Sequence, residues 1–242
     1  MEQMQSTGRA QRVGVRYDVP RVHDGWELRE ETMPESVTHD HAVEVLKALL
    51  AAWSARAGAS TGRPFVARNL AVRWDEARPA VGVDPDVCVL SPAPPDARDL
   101  RSVRTWLPEN APPLLAVEVV SESDPRKDYV TAPDKYAASG TRELWVFDPL
   151  LAGPTSHGGP FRIQVWTRDE LGDLVRVYAG NGPARSDVLG AYLVATDDGR
   201  VLRIADDAAG TRMWRTAEEA EREEKETALA RVAELEAQLA RR

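Results

Sequence analysis

The apolar run LLAVEVV, Leu114 to Val120, carries one carboxylate, Glu118, at its centre. If the run is a buried strand, that carboxylate must be compensated. Unpaired and out of water, it either destabilises the fold or takes up a proton. A hydrogen-bond donor, a cation or a metal can supply the compensation. Upstream, VGVDPDVCVL presents Asp86 directly after Pro85, with Asp84 just before. Downstream, Lys135 falls on a short predicted helix. Carboxylates on two adjacent strands suit a hard divalent cation, Mg²⁺ or Mn²⁺, with water and phosphate oxygens completing its shell. Such a cation lowers the pKa of water, and a nearby lysine stabilises charge on a phosphoryl transition state. The chemistry indicated is metal-assisted phosphoester hydrolysis. Plainer readings stand beside it. Asp86 can cap a turn after proline, Glu118 can face solvent from an edge strand, and Lys135 can lie on a solvated helix face.

These residues need elements to position them. GWELREETM (Gly25 to Met33) alternates as an extended strand. SVTHDHAVEVLKALLAAWSARAG sets Val43, Leu46, Leu50 and Trp53 at helical spacing, with Ser36 or Thr38 as N-cap and Gly58 as stop. Phe65 to Trp74 reads as one strand with Leu70, Val72 and Trp74 on a face, and Val81 to Leu90 as another. Ser91 to Pro113, rich in Pro, Asp and Arg, reads as a long loop. The strand Leu114–Val120 follows, then a polar turn and a helix opening near Pro133 and closed by Gly140. RELWVFDP is a further buried strand. FRIQVWTRDELGDLVRVYA predicts a hairpin turning near Gly172, and short β segments fall at Val188–Ala195 and Val201–Ile204. From Ala217 the composition changes. Ala228, Val232, Leu235 and Leu239 follow 4-3-4 spacing between charged residues, either a solvated amphipathic helix or a short heptad seam for self-association or a protein partner.

The chain of 242 residues is long enough for one full domain with an appendage. The expected division is a polar leader at 1–24, a domain at 25–210 and a helical extension at 211–242. Cys88 is the only cysteine, which excludes an internal disulfide and a cysteine-rich zinc site and fits a reducing cytoplasm. The start MEQMQSTGRAQR lacks the apolar core of a signal peptide. No apolar run approaches the ~20 residues of a membrane helix, so a soluble protein with no membrane partner is expected. The net charge of −8 weighs against a wholly basic nucleic-acid face. The segment 218–242, with eight Glu against five Arg or Lys, accounts for −3 of it. A local basic groove remains compatible with that balance.

With Glu27, His41, Pro85-Asp86, Glu118 and Ser121, Asp128, Lys135-Tyr136, Gly140 and ELWVFDP in this order, the chain resembles the Uma-two family of restriction-type endonucleases, within the PD-(D/E)xK nuclease superfamily. The resemblance runs from about Gly25 to Ala195 and is densest from Leu114 to Pro149. It implies an α/β fold, restriction-endonuclease-like, with a mixed central sheet flanked by helices, and a homodimer. It further implies that Asp86 and Glu118 hold the metal with the Val119 carbonyl, and that Lys135 steadies the transition-state charge. In the superfamily the lysine stands two residues after the acid, here Val120. In the family it moves to the following helix, at a place held here by Ala132. Lys135 is the substitute and Lys127 the reserve. His41 reads better as a helix N-terminal surface residue than as a ligand, Glu27 and Glu44 as structural or solvent-facing residues that could supply a further metal contact, and Asp128 as a loop-fixing or capping residue rather than a ligand.

The reading reached is a Mg²⁺- or Mn²⁺-dependent endonuclease acting on DNA. Arg98, Arg101 and Arg104 in the loop, with Arg126 and Lys127 in the turn, are candidates to grip phosphates; a solvated loop is their plain alternative. Two competitors are a nuclease-fold protein that binds rather than cuts, docking through its C-terminal helix, and a metallohydrolase of small phosphate esters.

Overall fold

The computed structural model describes residues 24–28, 36–57, 63–95, 97, 99–155 and 158–241. The predicted strand at Gly25–Met33 begins instead with a 3-10 turn, Asp24–Trp26, and a single bridge from Glu27 to Val81. Its remainder, the stop at Gly58, Arg98 and nearly all of the leader lie outside the described residues. Helix α1 spans Val37–Ala57. Ser36 caps it, its hydroxyl accepting the His39 N–H at 3.2 Å.

Phe65 to Trp74 is not one strand. Asn69, in the left-handed region at φ 51°, divides it into β1 (Phe65–Ala67) and β2 (Ala71–Arg73), which join different sheets. Regular structure in Val81–Leu90 is confined to β3 (Val87–Leu90), because Pro85 has no N–H to give a ladder. Val81 and Val83 make only isolated bridges. The expected loop at Ser91–Pro113 contains a strand, β4 (Ser102–Arg104), paired in parallel with β2. Next come β5 (Leu115–Val119), a π turn (Lys127–Thr131) and helix α2 (Ala132–Ser139), which Gly140 ends at φ 83°. The remaining strands are β6 (Glu143–Phe147), β7 (Ile163–Arg168), β8 (Leu174–Gly180), β9 (Ala184–Ser186), β10 (Ala191–Thr196) and β11 (Val201–Ala205). Gly172, at φ 87°, lies in the β7–β8 turn as the hairpin reading expects. Helix α3 spans Ala217–Ala240.

Six strands form a mixed sheet in the order β1-β3-β5-β6-β7-β8, parallel only between β5 and β6. That parallel pair requires a crossover, which the π turn and α2 supply. Leu115, Val117 and Val119 of β5 pack on the face shared with Leu46, Leu49 and Leu50 of α1. Ala116 and Val120 pack on the opposite face with Ala132 and Tyr136 of α2. Glu118 therefore sits centrally in the sheet, under the crossover. The fold is the expected mixed α/β architecture with a C-terminal helix.

A second buried carboxylate has a purely structural arrangement. Glu143 Oε1 accepts the Trp145 indole N–H at 2.7 Å and the Ser186 hydroxyl at 2.5 Å, and Oε2 accepts the Asp187 and Val188 N–H groups at 3.0 and 3.1 Å. These bonds pin β9 and its following turn to β6. Glu143→Ala deprives four donors of an acceptor and is expected to cost about 3 kcal/mol or more in urea unfolding.

Candidate metal and phosphodiester site

The register brings the two predicted carboxylates together. Val87 pairs with Val117, so Asp86, one step before β3, falls beside Glu118. Asp86 is buried, and its Oδ2 accepts the Val119 N–H at 2.7 Å. The same oxygen lies 3.3 Å from His39 Nε2. In an extended strand the N–H and C=O of one residue face the same neighbour, so the Val119 carbonyl also faces the Asp86 side.

Glu118 is 2% exposed. Its Oε1 accepts the Tyr136 hydroxyl at 2.6 Å, while its Oε2, also buried, meets no hydrogen-bond donor. Burial pushes its carboxyl well above the ordinary range. The Lys127 charge opposes that shift most, and the charges of Asp86 and Asp128 add to it. Burial likewise raises the Tyr136 phenol, with Glu118 adding to the effect. Tyr136 thus remains a donor to Glu118 across the physiological range.

The crossover contributes the rest. Asp128, in the π turn, is fully buried. Its partners are Lys127, whose Nζ stands 3.3 Å from Oδ1, and the Ser121 backbone, both of which favour its charged form. Burial, only partly offset by Lys127, pushes its carboxyl to about 7. Lys127 keeps its side chain about half exposed, and the Glu118 charge raises its pKa above the ordinary lysine value. Lys135 moves the other way. Burial lowers its ammonium, against the pull of Glu118, and the Lys127 charge reinforces the lowering. Both lysines therefore lie within electrostatic reach of Glu118, and Lys127 is the stronger partner. Single π turns are frequent at functional sites because they re-aim side chains out of the helical pattern. This one carries Lys127 and Asp128 together.

Other predicted residues stand apart. His41 is exposed on α1, whereas His39, two positions earlier, is buried against Asp86. His39, Val43, Leu46 and Leu50 share one 4-3-4 face, which is the signal that distinguishes the two histidines. Glu27 and Glu44 are exposed, and no hydrogen bond or ion pair among the described residues joins either to Asp86 or Glu118. Arg101 and Arg104 are exposed beside β2 and β4, lining an open cleft of about 420 Å³ with Asp99, Glu109 and Asn110. That cleft contains neither carboxylate. A larger cavity of about 680 Å³, at the root of α3, also contains neither, so cavity size does not mark this site. Arg126 is exposed next to Lys127.

Among the described residues, no group of three or more His, Cys, Asp or Glu stands at metal-binding spacing. The donor set suits a lightly held cation: two carboxylates and a backbone carbonyl, leaving positions for water and phosphate, as Mg²⁺ prefers. Glu118 Oε2, buried with no hydrogen-bond donor among the described residues, fits such a cation, with Lys127 the nearest source of opposing charge.

A mixed α/β sheet bearing paired carboxylates beside a lysine-carrying crossover defines a nuclease-like class of protein. The chain belongs to the Uma2 family, described as "Putative restriction endonuclease", whose model matches residues 14–154. The match holds every residue of the site and stops short of the Ala195 limit expected from the motifs. No curated protein matches the chain. Among solved structures, a putative nuclease from Anabaena variabilis ATCC 29413 is similar at 13% identity and a TM-score of 0.42, over 65% of this chain and 76% of that one. No helix among the described residues is long and apolar enough to cross a membrane.

Proposed function

We propose that the protein is a divalent-metal-dependent endonuclease that hydrolyses DNA phosphodiester bonds in the cytoplasm. The observation that carries this reading is Glu118, buried in the central strand beside Asp86 with one carboxylate oxygen lacking a donor. Asp86, Glu118 and the Val119 carbonyl would hold Mg²⁺ or Mn²⁺. When bound, the cation supplies Lewis-acid polarisation of the phosphate and of the attacking water. The Val119 N–H and His39 fix Asp86 through Oδ2, and Tyr136 fixes Glu118 through Oε1, so each carboxylate would keep a second oxygen to offer a cation. Lys127 balances the negative charge that grows on the phosphoryl oxygens, with Asp128 keeping its ammonium near Glu118. Lys135 adds a second, more buried positive charge. Arg126, Arg101 and Arg104 contact the DNA backbone rather than its bases.

Calorimetric titration of Mn²⁺, followed by plasmid nicking, tests the reading. Saturable binding and nicking by the wild type, both lost in Asp86→Ala, support it; cleavage that persists in chelator refutes it. Among the lysines, Lys127→Ala is expected to slow nicking about 10²-fold, in the range of a lost transition-state donor. Lys135→Ala is expected to slow it by less. The reverse ranking in single-turnover rates assigns the chemistry to Lys135.

Ala132 at the family's lysine place and the net charge of −8 favour a second reading, a nuclease-fold protein that binds without cutting. Mn²⁺ binding without nicking selects it.

A further inference from the structure

We propose that α3 pairs with α3 of a second copy as a parallel, two-stranded coiled coil. Thr216 and Glu219 form a reciprocal capping box at the start of the helix. Arg203 of β11 then grips the Glu219 carboxylate with two N–H bonds, at 2.6 and 2.9 Å. The root is therefore fixed in direction. Beyond it the helix has no cover: every residue from Glu221 to Arg241 is exposed, including Val232, Leu235 and Leu239. A single helix with an apolar seam open to water is marginal, and association is what removes that seam from water.

The seam specifies its occupant. With Val232 at position a and Leu235 at d, Ala228 falls at d, Leu239 at a and Lys225 at the preceding a. A β-branched residue at a with leucine at d favours two strands, and a lone lysine at an a position fixes register and oligomer state at some cost in stability. The flanking charges set the orientation. Arg231 occupies g and Glu236 the next e. Parallel helices in register bring these opposite charges together on both sides of the seam. Antiparallel helices place g against g and e against e. With the seam overlapped, Arg231 then meets Gln238, and Glu236 meets Leu229 or its own copy, so no opposite charges face each other. The Arg231–Glu234 pair within one helix, at 2.5 Å, is an exposed contact that the interhelical pair can replace. Helix α3 lies beyond the matched residues 14–154, so this contact belongs to this chain's own extension. It does not depend on the nuclease reading.

Analytical ultracentrifugation of the full chain at micromolar concentration is the test. The wild type is expected to sediment at twice its 26.7 kDa chain mass, and Val232→Glu at the single mass with the thermal transition of the main domain retained. Orientation is read from Leu235→Cys under mild oxidation. Cys88 is buried, so a covalent dimer reports a d-to-d contact, which only the parallel register supplies. A monomeric wild type overturns the proposal. So does a dimer that survives Val232→Glu, which puts the contact elsewhere, or a dimer in which Leu235→Cys fails to crosslink.

Discussion

Glu118→Gln is expected to abolish divalent-dependent nicking, by about 10³-fold or more, while raising the melting temperature of the metal-free protein. The two effects have one cause. The carboxylate is held where burial disfavours its charge and where Asp86 and Asp128 disfavour it further. On the proposed reading that charge serves to hold a divalent cation. Glutamine keeps the size of the side chain and an oxygen to accept the Tyr136 hydroxyl, so packing and the buried hydrogen bond survive. What it removes is the charge. Loss of a metal ligand and of its electrostatic contribution accounts for the activity; losing one preorganised donor alone costs about 10²–10³. Relief of like-charge repulsion and burial accounts for the stability, and each 1 kcal/mol recovered raises the melting temperature by about 2–4 °C in a chain of this size. A Glu118 that merely braces the crossover through Tyr136 predicts the opposite pair of results. Glu118→Gln would then melt lower and cut, or bind, as well as the wild type. Nicking rates and differential scanning calorimetry on one preparation separate the two.

Glu118 was legible in the sequence because a charge in an apolar seven-residue run is an anomaly that burial makes expensive. Its neighbour in space was legible for a weaker reason. Pro85-Asp86 follows a turn signal, but only the β3–β5 register brings Asp86 alongside Glu118. His41 takes its place from order along the chain, whereas burial beside Asp86 falls to His39, because residues two apart on a helix point nearly opposite ways. The division of Phe65–Trp74 rests on Asn69 taking a positive φ, which asparagine tolerates but its presence does not announce. The different settings of Lys127 and Lys135 were not readable at all. They depend on a π turn, Lys127–Thr131, that shifts the helical phase ahead of α2. Asp128 shows the same limit. As a residue in a polar turn it reads as a cap, yet it is fully buried, with the Lys127 ammonium 3.3 Å away.

Those buried acids give the metal-free protein an inverted response to pH, and a divalent cation should reverse it. Asp128 titrates near 3.8 in an unfolded chain and at about 7 in the folded one, and Glu118 is shifted upward in the same sense. Between those values the folded state binds more protons than the unfolded state, so unfolding free energy falls as pH rises. The stabilising protonated forms are fully present below about pH 4 and are lost as pH climbs through about 7. The expected loss is on the order of a few kcal/mol. Glu219, held down at about 2 by its bonds to Arg203, acts in the opposite direction but only below about pH 4.5, outside this window. Urea unfolding in chelator at pH 5 and pH 7.5 should therefore find the wild type weaker at the higher pH, with the slope reduced in Asp128→Asn. Adding Mn²⁺ at about 100 times its dissociation constant should restore about 2.7 kcal/mol at pH 7.5. At pH 5 it should restore much less, because protons then compete for the same oxygens. Proton release on metal binding, read as a dependence of calorimetric heat on buffer ionisation enthalpy, must accompany the gain. A Mn²⁺ effect equal at both pH values, or one that persists in Glu118→Gln, would place the cation on other ligands and leave the pair Asp86–Glu118 without its proposed role.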